Sequence, residues 1–136
     1  MSKNKPAAAD ACACESGKAY RDCCGPYHHG IPAPTPEALM RSRYSAYAMR
    51  LSLYLLATWH PRTRPPPDEL DLGEVRTAWL GLKIVRTAQG SDDEGIVEFI
   101  ARYRVGGGRA VRLHETSRFV REGGVWYYLD GVIKSS

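Results

Sequence analysis

The sequence predicts an α+β fold with a small cysteine-rich module at its front, and three observations lead there. All four cysteines of the 136-residue chain lie within its first 24 positions. Apolar residues then recur at three- and four-residue steps up to about residue 59, the period of a helix that packs by one face. From Trp79 onward the period shortens toward two, in runs separated by glycine-containing turns, as in an antiparallel sheet.

At 43% hydrophobic and 25% charged residues, the composition is that of an ordinary globular protein with one principal core. No run of about 18 apolar residues occurs, and Lys3-Asn4-Lys5 is followed only by a short alanine stretch. Neither membrane insertion nor a signal peptide is expected, and the expected compartment is the cytoplasm. A net charge of +4 is compatible with an acidic partner but is most simply a solvated surface. In a compartment that keeps thiols reduced, clustered cysteines point to metal rather than to disulfides.

Along the chain, residues 1–10 read as a disordered lead and 11–30 as the cysteine module. Residues 31–36, Ile31-Pro32-Ala33-Pro34-Thr35-Pro36, form a semi-rigid linker, which predicts that few core contacts cross it. The main domain occupies 37–136. Its first helix starts where Thr35 supplies an N-cap, Pro36 the first helical position and Glu37 an acid near the positive helix end. Met40, Tyr44, Tyr47, Leu51 and Tyr54 or Leu55 form its apolar stripe, with a break near Ser52 that would cap a second short helix. His60-Pro61 ends the pattern, Pro65-Pro66-Pro67 stiffens the next loop, and a short helix is expected within Asp68–Ala78. Strands follow at roughly 79–88, 95–105, 109–121 and 125–133.

The cysteine segment is the most specific signal. Cys12, Cys14, Cys23 and Cys24 are spaced to hold one zinc ion, provided the chain bends sharply twice. Tetrahedral zinc requires bonds of about 2.3 Å and sulfurs about 3.8 Å apart. Gly17 and Gly25-Pro26 supply the bends. Adjacent Cys23 and Cys24 reach one ion only from a turn or helix, and Lys18 and Arg21 are placed to offset the charge of four thiolates. His28 or His29, one turn beyond, would be the alternative fourth ligand to Cys24.

This string resembles the SEC-C motif, a zinc-binding module whose usual form carries glycine where this chain has Glu15. The resemblance maps the ligands onto Cys12, Cys14, Cys23 and Cys24, and implies protein or ribosome contacts. Ala38-Leu39-Met40-Arg41-Ser42-Arg43-Tyr44-Ser45-Ala46-Tyr47, Thr58-Trp59-His60-Pro61, Leu113-His114-Glu115-Thr116-Ser117-Arg118-Phe119 and Trp126-Tyr127-Tyr128-Leu129-Asp130-Gly131 resemble the YchJ-like family over nearly the whole chain. That resemblance implies a SEC-C module joined to a nuclear-transport-factor-two-like domain, a cone of helices on a curved, mainly antiparallel sheet. It implies no particular biochemical activity.

Hairpins at Gly106-Gly107-Gly108 and Gly123-Gly124 set a register in which Phe99 faces Glu115, Phe119 faces Tyr128 and Ser117 faces Asp130. One face then collects Val97, Phe99, Ala101, Tyr103, Val111, Leu113, Phe119, Trp126 and Tyr128 and must be covered by the helices. Glu115, Ser117 and Asp130 fall on the same face, so Glu115, Ser117, Asp130, Tyr128 and Tyr103 are candidate pocket residues. An unpaired carboxylate there would have a raised pKa and could move protons; the simpler expectation is a carboxylate paired with Arg43 or Tyr47. The opposite face carries Arg102, Arg104, Arg112, His114 and Arg118, with Arg102 across from Arg112. Such a basic face is either solvated or matched by a homodimer contact, an acidic protein or a phosphate backbone.

Two function classes follow. The first is a binding or adaptor protein in which a closed zinc site shapes a recognition surface for a protein or ribosomal partner. The alternative is a small-ligand receptor or enzyme using a pocket around Glu115. No catalytic set is identifiable, since no nucleophile–base pair or phosphate-binding glycine loop is found. No recognised nucleic-acid-reading module occurs, so nucleic acid is not expected as the sole partner.

Overall fold

The computed structural model describes residues 10–134, so the expected lead lies outside the described residues except for Asp10. Among the described residues three α-helices precede a four-stranded sheet: α1 (Cys24–His28), α2 (Pro36–Met49) and α3 (Ser52–Ala57). Helix α2 begins as its sequence dictates. Thr35 is extended, its Oγ1 accepts the Ala38 N–H at 3.1 Å, and Pro36 and Glu37 occupy the first turn. It ends at Arg50, whose left-handed backbone (φ 58°) lets its N–H reach the carbonyls of Ala46 and Tyr47. The break before α3 falls near Ser52, but Ser52 is the first helical residue and Leu51 stands at the cap without a side-chain bond.

The short helix expected within Asp68–Ala78 is limited to one 3-10 turn, Pro67–Glu69. Asp71 Oδ1 accepts the Gly73 N–H at 2.8 Å, and Gly73 has φ 79°. This local turn competes with a helix for the same backbone groups.

The sheet is antiparallel in the order β1-β2-β3-β4, formed by β1 (Thr77–Ser91), β2 (Glu94–Val105), β3 (Val111–Glu122) and β4 (Val125–Ile133). The expected pairings Phe99 with Glu115, Arg102 with Arg112 and Phe119 with Tyr128 are present. Ser117, however, pairs with Gly131, and Asp130 pairs with Arg118. Leu129 is the extra residue of a bulge between the Phe119 and Arg118 positions. One inserted residue exchanges the faces of everything beyond it, so Asp130 points to the outer face.

The segment after α3 closes the β4 edge. Tyr128 N–H donates to the Thr58 carbonyl and His60 N–H donates to the Tyr128 carbonyl, both at 2.8 Å, making an isolated parallel bridge between Trp59 and Tyr128. Thr63 Oγ1 adds a bond to the Leu129 carbonyl at 2.6 Å. His60 is pinned as well: Nδ1 accepts the Arg62 N–H and Nε2 meets Glu122 at 2.9 Å.

Helix α2 lies against the inner face, where Leu39, Met40 and Tyr44 join Leu82, Val97, Phe99, Ala101, Phe119 and Trp126 in the core. Cys12, Cys14, Cys24 and Ala33 belong to the same cluster. The expectation that few contacts cross the proline linker is therefore corrected. The prolines stiffen residues 31–36 but fold the cysteine segment back onto α2. No helix among the described residues is long and apolar enough to cross a membrane.

Candidate metal centre and sheet cavity

The cysteine segment is a compact loop held by its own backbone. Cys12 N–H donates to the Lys18 carbonyl (2.9 Å), Glu15 N–H to Cys12 (3.2 Å) and Cys23 N–H to Tyr20 (3.0 Å), and Ala11 bridges Ala19. Glu15 takes up φ 66°, the left-handed conformation that glycine adopts without strain, at the position where the SEC-C pattern usually carries glycine. At the second bend Gly25 is required for closeness: a Cβ there would lie 2.9 Å from the Tyr20 carbonyl oxygen.

These turns bring the four sulfurs within 4.8 Å of one another, with Cys14 and Cys23 at 3.5 Å and Cys23 and Cys24 at 3.9 Å. No disulfide joins them. Cys23 and Cys24 reach a common point because Cys24 opens α1 while Cys23 sits just before it. This donor set and spacing fit one tetrahedral metal ion. The electrostatics point the same way. Contact with Cys14 and Cys24 favours a thiolate at Cys12. The contact with Cys12 raises Cys14 to about 11, and it pushes Cys24 above the ordinary thiol value. Packed sulfurs resist a second negative charge until a cation arrives.

Helix α2 supports the cluster from beneath. Ser45 Oγ lies 3.4 Å from both Cys12 Sγ and Cys24 Sγ, and Arg41 Nη1 donates to the Cys14 carbonyl at 2.9 Å. Ser16 Oγ lies 3.1 Å from Cys23 Sγ. The alternative histidine ligands are engaged elsewhere. His28 Nε2 donates to the Ser42 carbonyl (2.8 Å) while its Nδ1 meets the Tyr20 hydroxyl (2.7 Å), and His29 Nδ1 donates to the Gly25 carbonyl (2.7 Å). Burial lowers the His28 pKa, in keeping with a neutral ring making these two bonds. Ser45 and Arg41 were not anticipated from sequence, because a serine and an arginine on a helix give no signal until the fold places them.

Between α2 and the inner sheet face lies a cavity of about 440 Å³. Tyr103, Glu115, Ser117 and Tyr128 line it as expected, and Asp130 does not. Asp130 instead receives two bonds from Arg118, at 2.7 and 2.6 Å, which hold its carboxyl below the ordinary range. Glu115 pairs with neither Arg43 nor Tyr47; its Oε2 accepts a bond from Ser117 Oγ at 2.8 Å. It fits because Gly131, the β4 partner of Ser117, has no side chain, and a Cβ there would overlap the Glu115 carboxylate. Arg43 is buried but turned toward α3, donating to the Leu55 carbonyl (2.8 Å) and Thr58 Oγ1 (2.7 Å). Its guanidinium lies over the rings of Trp59 (5.1 Å) and Tyr128 (4.5 Å).

The outer face divides in two. Glu98, 7% exposed, gathers His114 (2.6 Å), Arg86 (2.9 Å) and Lys134 (3.3 Å), so His114 and Arg118 each have an acidic partner. Arg102, Arg104 and Arg112 have none within 4 Å among the described residues.

A profile described as the YchJ middle NTF2-like domain matches residues 35–131. A UPF0225 protein of Xanthomonas oryzae is 55% identical over 121 residues, covering 89% of this chain and 93% of its own. One from Chromobacterium violaceum is 53% identical over 135 residues, covering 96% and 98%. Among solved structures, a SEC-C motif containing protein from Rhodopseudomonas palustris superposes with a TM-score of 0.78 at 38% identity, over 91% of this chain and 98% of that one. A SEC-C motif containing protein from Psychrobacter arcticus gives 0.71 at 31%, over 93% and 83%.

Proposed function

From a chain that belongs to the YchJ family of UPF0225 proteins, we propose a zinc-organised binding protein. In this reading Cys12, Cys14, Cys23 and Cys24 hold one Zn²⁺, and the segment they fix presents a recognition surface to a protein or ribosomal partner. The observation that carries it is the closed donor set: four sulfurs within 4.8 Å of one another fill a tetrahedral ion and leave no position for substrate. A full thiolate set organises structure rather than chemistry. Zinc is favoured over harder divalent ions because thiolates are soft ligands. Two further features support a binding role. The cluster rests on α2 through Ser45 and Arg41, so the metal shapes the main domain's surface as well as its own loop. Arg102, Arg104 and Arg112 leave positive charge on the outer face for an acidic partner.

The test combines native mass spectrometry with co-sedimentation on purified ribosomes and crosslinking in lysate. The reduced protein is expected to carry one zinc. Replacing Cys23 and Cys24 by Ser is expected to abolish both metal and partner, whereas Glu115→Gln keeps both. A protein that binds no zinc, or a double variant that keeps every partner, refutes the reading.

A further inference from the structure

We propose that the cavity between α2 and the sheet is a binding site for a small organic cation, a substituted ammonium compound. This inference stands apart from the metal reading and uses none of its residues. At about 440 Å³ the space falls in the usual range for small-molecule sites. Aromatic rings form one part of its wall. Trp79 lies 5.5 Å from Tyr44, 6.2 Å from Tyr47 and 5.4 Å from Tyr103 between ring centroids, and Phe99 and Tyr128 add two more rings to a lining that also holds aliphatic side chains. Ring faces carry negative quadrupole potential and attract cations, quaternary ammonium groups above all.

The charges in the cavity sort the ligand further. Arg43 is the basic side chain in the lining, but it donates to Leu55 and Thr58 and is stacked on two rings. Both acceptors are neutral, so Arg43 keeps its charge, but two carboxylates, Glu115 and Asp71, share the lining and outnumber it. Glu115 is in the opposite situation. Its carboxylate accepts from Ser117, is wedged against the Gly131 backbone, and has no cationic partner within 4 Å among the described residues. Asp71 adds a second carboxylate to the lining. A neutral apolar guest would strip water from Glu115 and leave it unpaired, which is unfavourable. An anion would meet a like charge. A cation supplies the missing partner while its alkyl groups lie on the rings.

The test uses three probes of one shape and different charge: choline, its neutral isostere 3,3-dimethylbutan-1-ol, and 3,3-dimethylbutanoate. Each is titrated into the intact protein as purified while the indole N–H resonance of Trp79 is followed. Choline is expected to bind at least about tenfold more tightly than the alcohol, with the carboxylate weakest. Glu115→Gln should reduce the preference while keeping the alcohol's affinity, and Glu115→Asp, which retains the charge, should keep the order. If Glu115→Gln does not fold, the wild-type charge series decides alone. Equal affinities, a preference for the carboxylate, or no response to any probe up to about 50 mM overturns the proposal.

Discussion

The hydroxyl oxygen of Ser45 lies 3.4 Å from the sulfur of Cys24, so the middle of the main domain's first helix touches the cysteine cluster of the N-terminal segment. Hydrogen bonds to metal-bound thiolates spread their charge, and outer partners of this kind typically change metal affinity by about 10–100-fold. Ser45→Ala is expected to weaken metal retention by about tenfold with little change in the sheet. Competition with a chromophoric chelator measures this, and unchanged affinity would make the contact incidental.

Metal removal should reach past the cysteine loop. Cys12, Cys14 and Cys24 share a core cluster with Leu39, Met40 and Tyr44, and metal-binding energy is local folding energy. Hydrogen exchange after chelation is expected to show lost protection in residues 11–30 and in α2, with the central β2–β3 amides still protected. Full protection of α2 in the apo protein would contradict this.

Glu15 occupies a backbone conformation suited to glycine, φ 66°. Relief of the left-handed strain outweighs the entropy that glycine adds to the unfolded chain. Glu15→Gly should stabilise the protein by about 0.5–1 kcal/mol, read as a higher melting temperature at fixed metal content. A lower one would mean that the Glu15 side chain contributes more than its backbone loses.

At Gly131 the sign reverses, because an added Cβ would collide with the Glu115 carboxylate. Gly131→Ala is expected to destabilise by about 1–3 kcal/mol. Most of that loss should disappear when Glu115 is also replaced by Ala, giving a coupling free energy in a double-mutant cycle by denaturant unfolding. Strictly additive effects would show that the two residues do not meet.

The Glu98 network sets an acid-side dependence. His114 first, then Lys134 and Arg86, hold the Glu98 carboxyl below its ordinary value. A folded pKa below the unfolded one means a contribution fully present above the ordinary carboxylate value of about 4.3, and lost as pH falls through the lowered folded value. The difference in melting temperature between wild type and Glu98→Gln should be present at about pH 5 and shrink as pH falls below it. A difference that grows below about pH 5 would exclude this account.

Much of the fold was legible because its signals are local. Thr35-Pro36-Glu37 carries the chemistry of a helix start in three adjacent residues, and two glycine turns fix a register that pairs Phe99 with Glu115. The clustering of the cysteines was legible for the same reason. Asp130 was not, because the inserted Leu129 has no turn residue to mark it, and a bulge changes the facing of every residue beyond it. Ser45, Arg41 and the packing of the cysteine loop were also hidden. They depend on where the chain returns after the prolines, and stiffness in a linker says nothing about its direction. Arg43 was anticipated as a partner for Glu115, yet its bonds to Leu55 and Thr58 follow from the placement of α3, which sequence spacing does not give.

Helix α2 is enclosed from two sides, by the cysteine loop and by the sheet, and seven of its fourteen residues are buried, Ser42, Arg43 and Ser45 among them. Its tolerance of substitution should therefore follow enclosure rather than polarity. In a saturation scan the serines and the arginine would be as intolerant as Leu39, and the permissive sites would be few. Any attempt to transplant the cysteine loop as a portable tag would have to carry this helix with it.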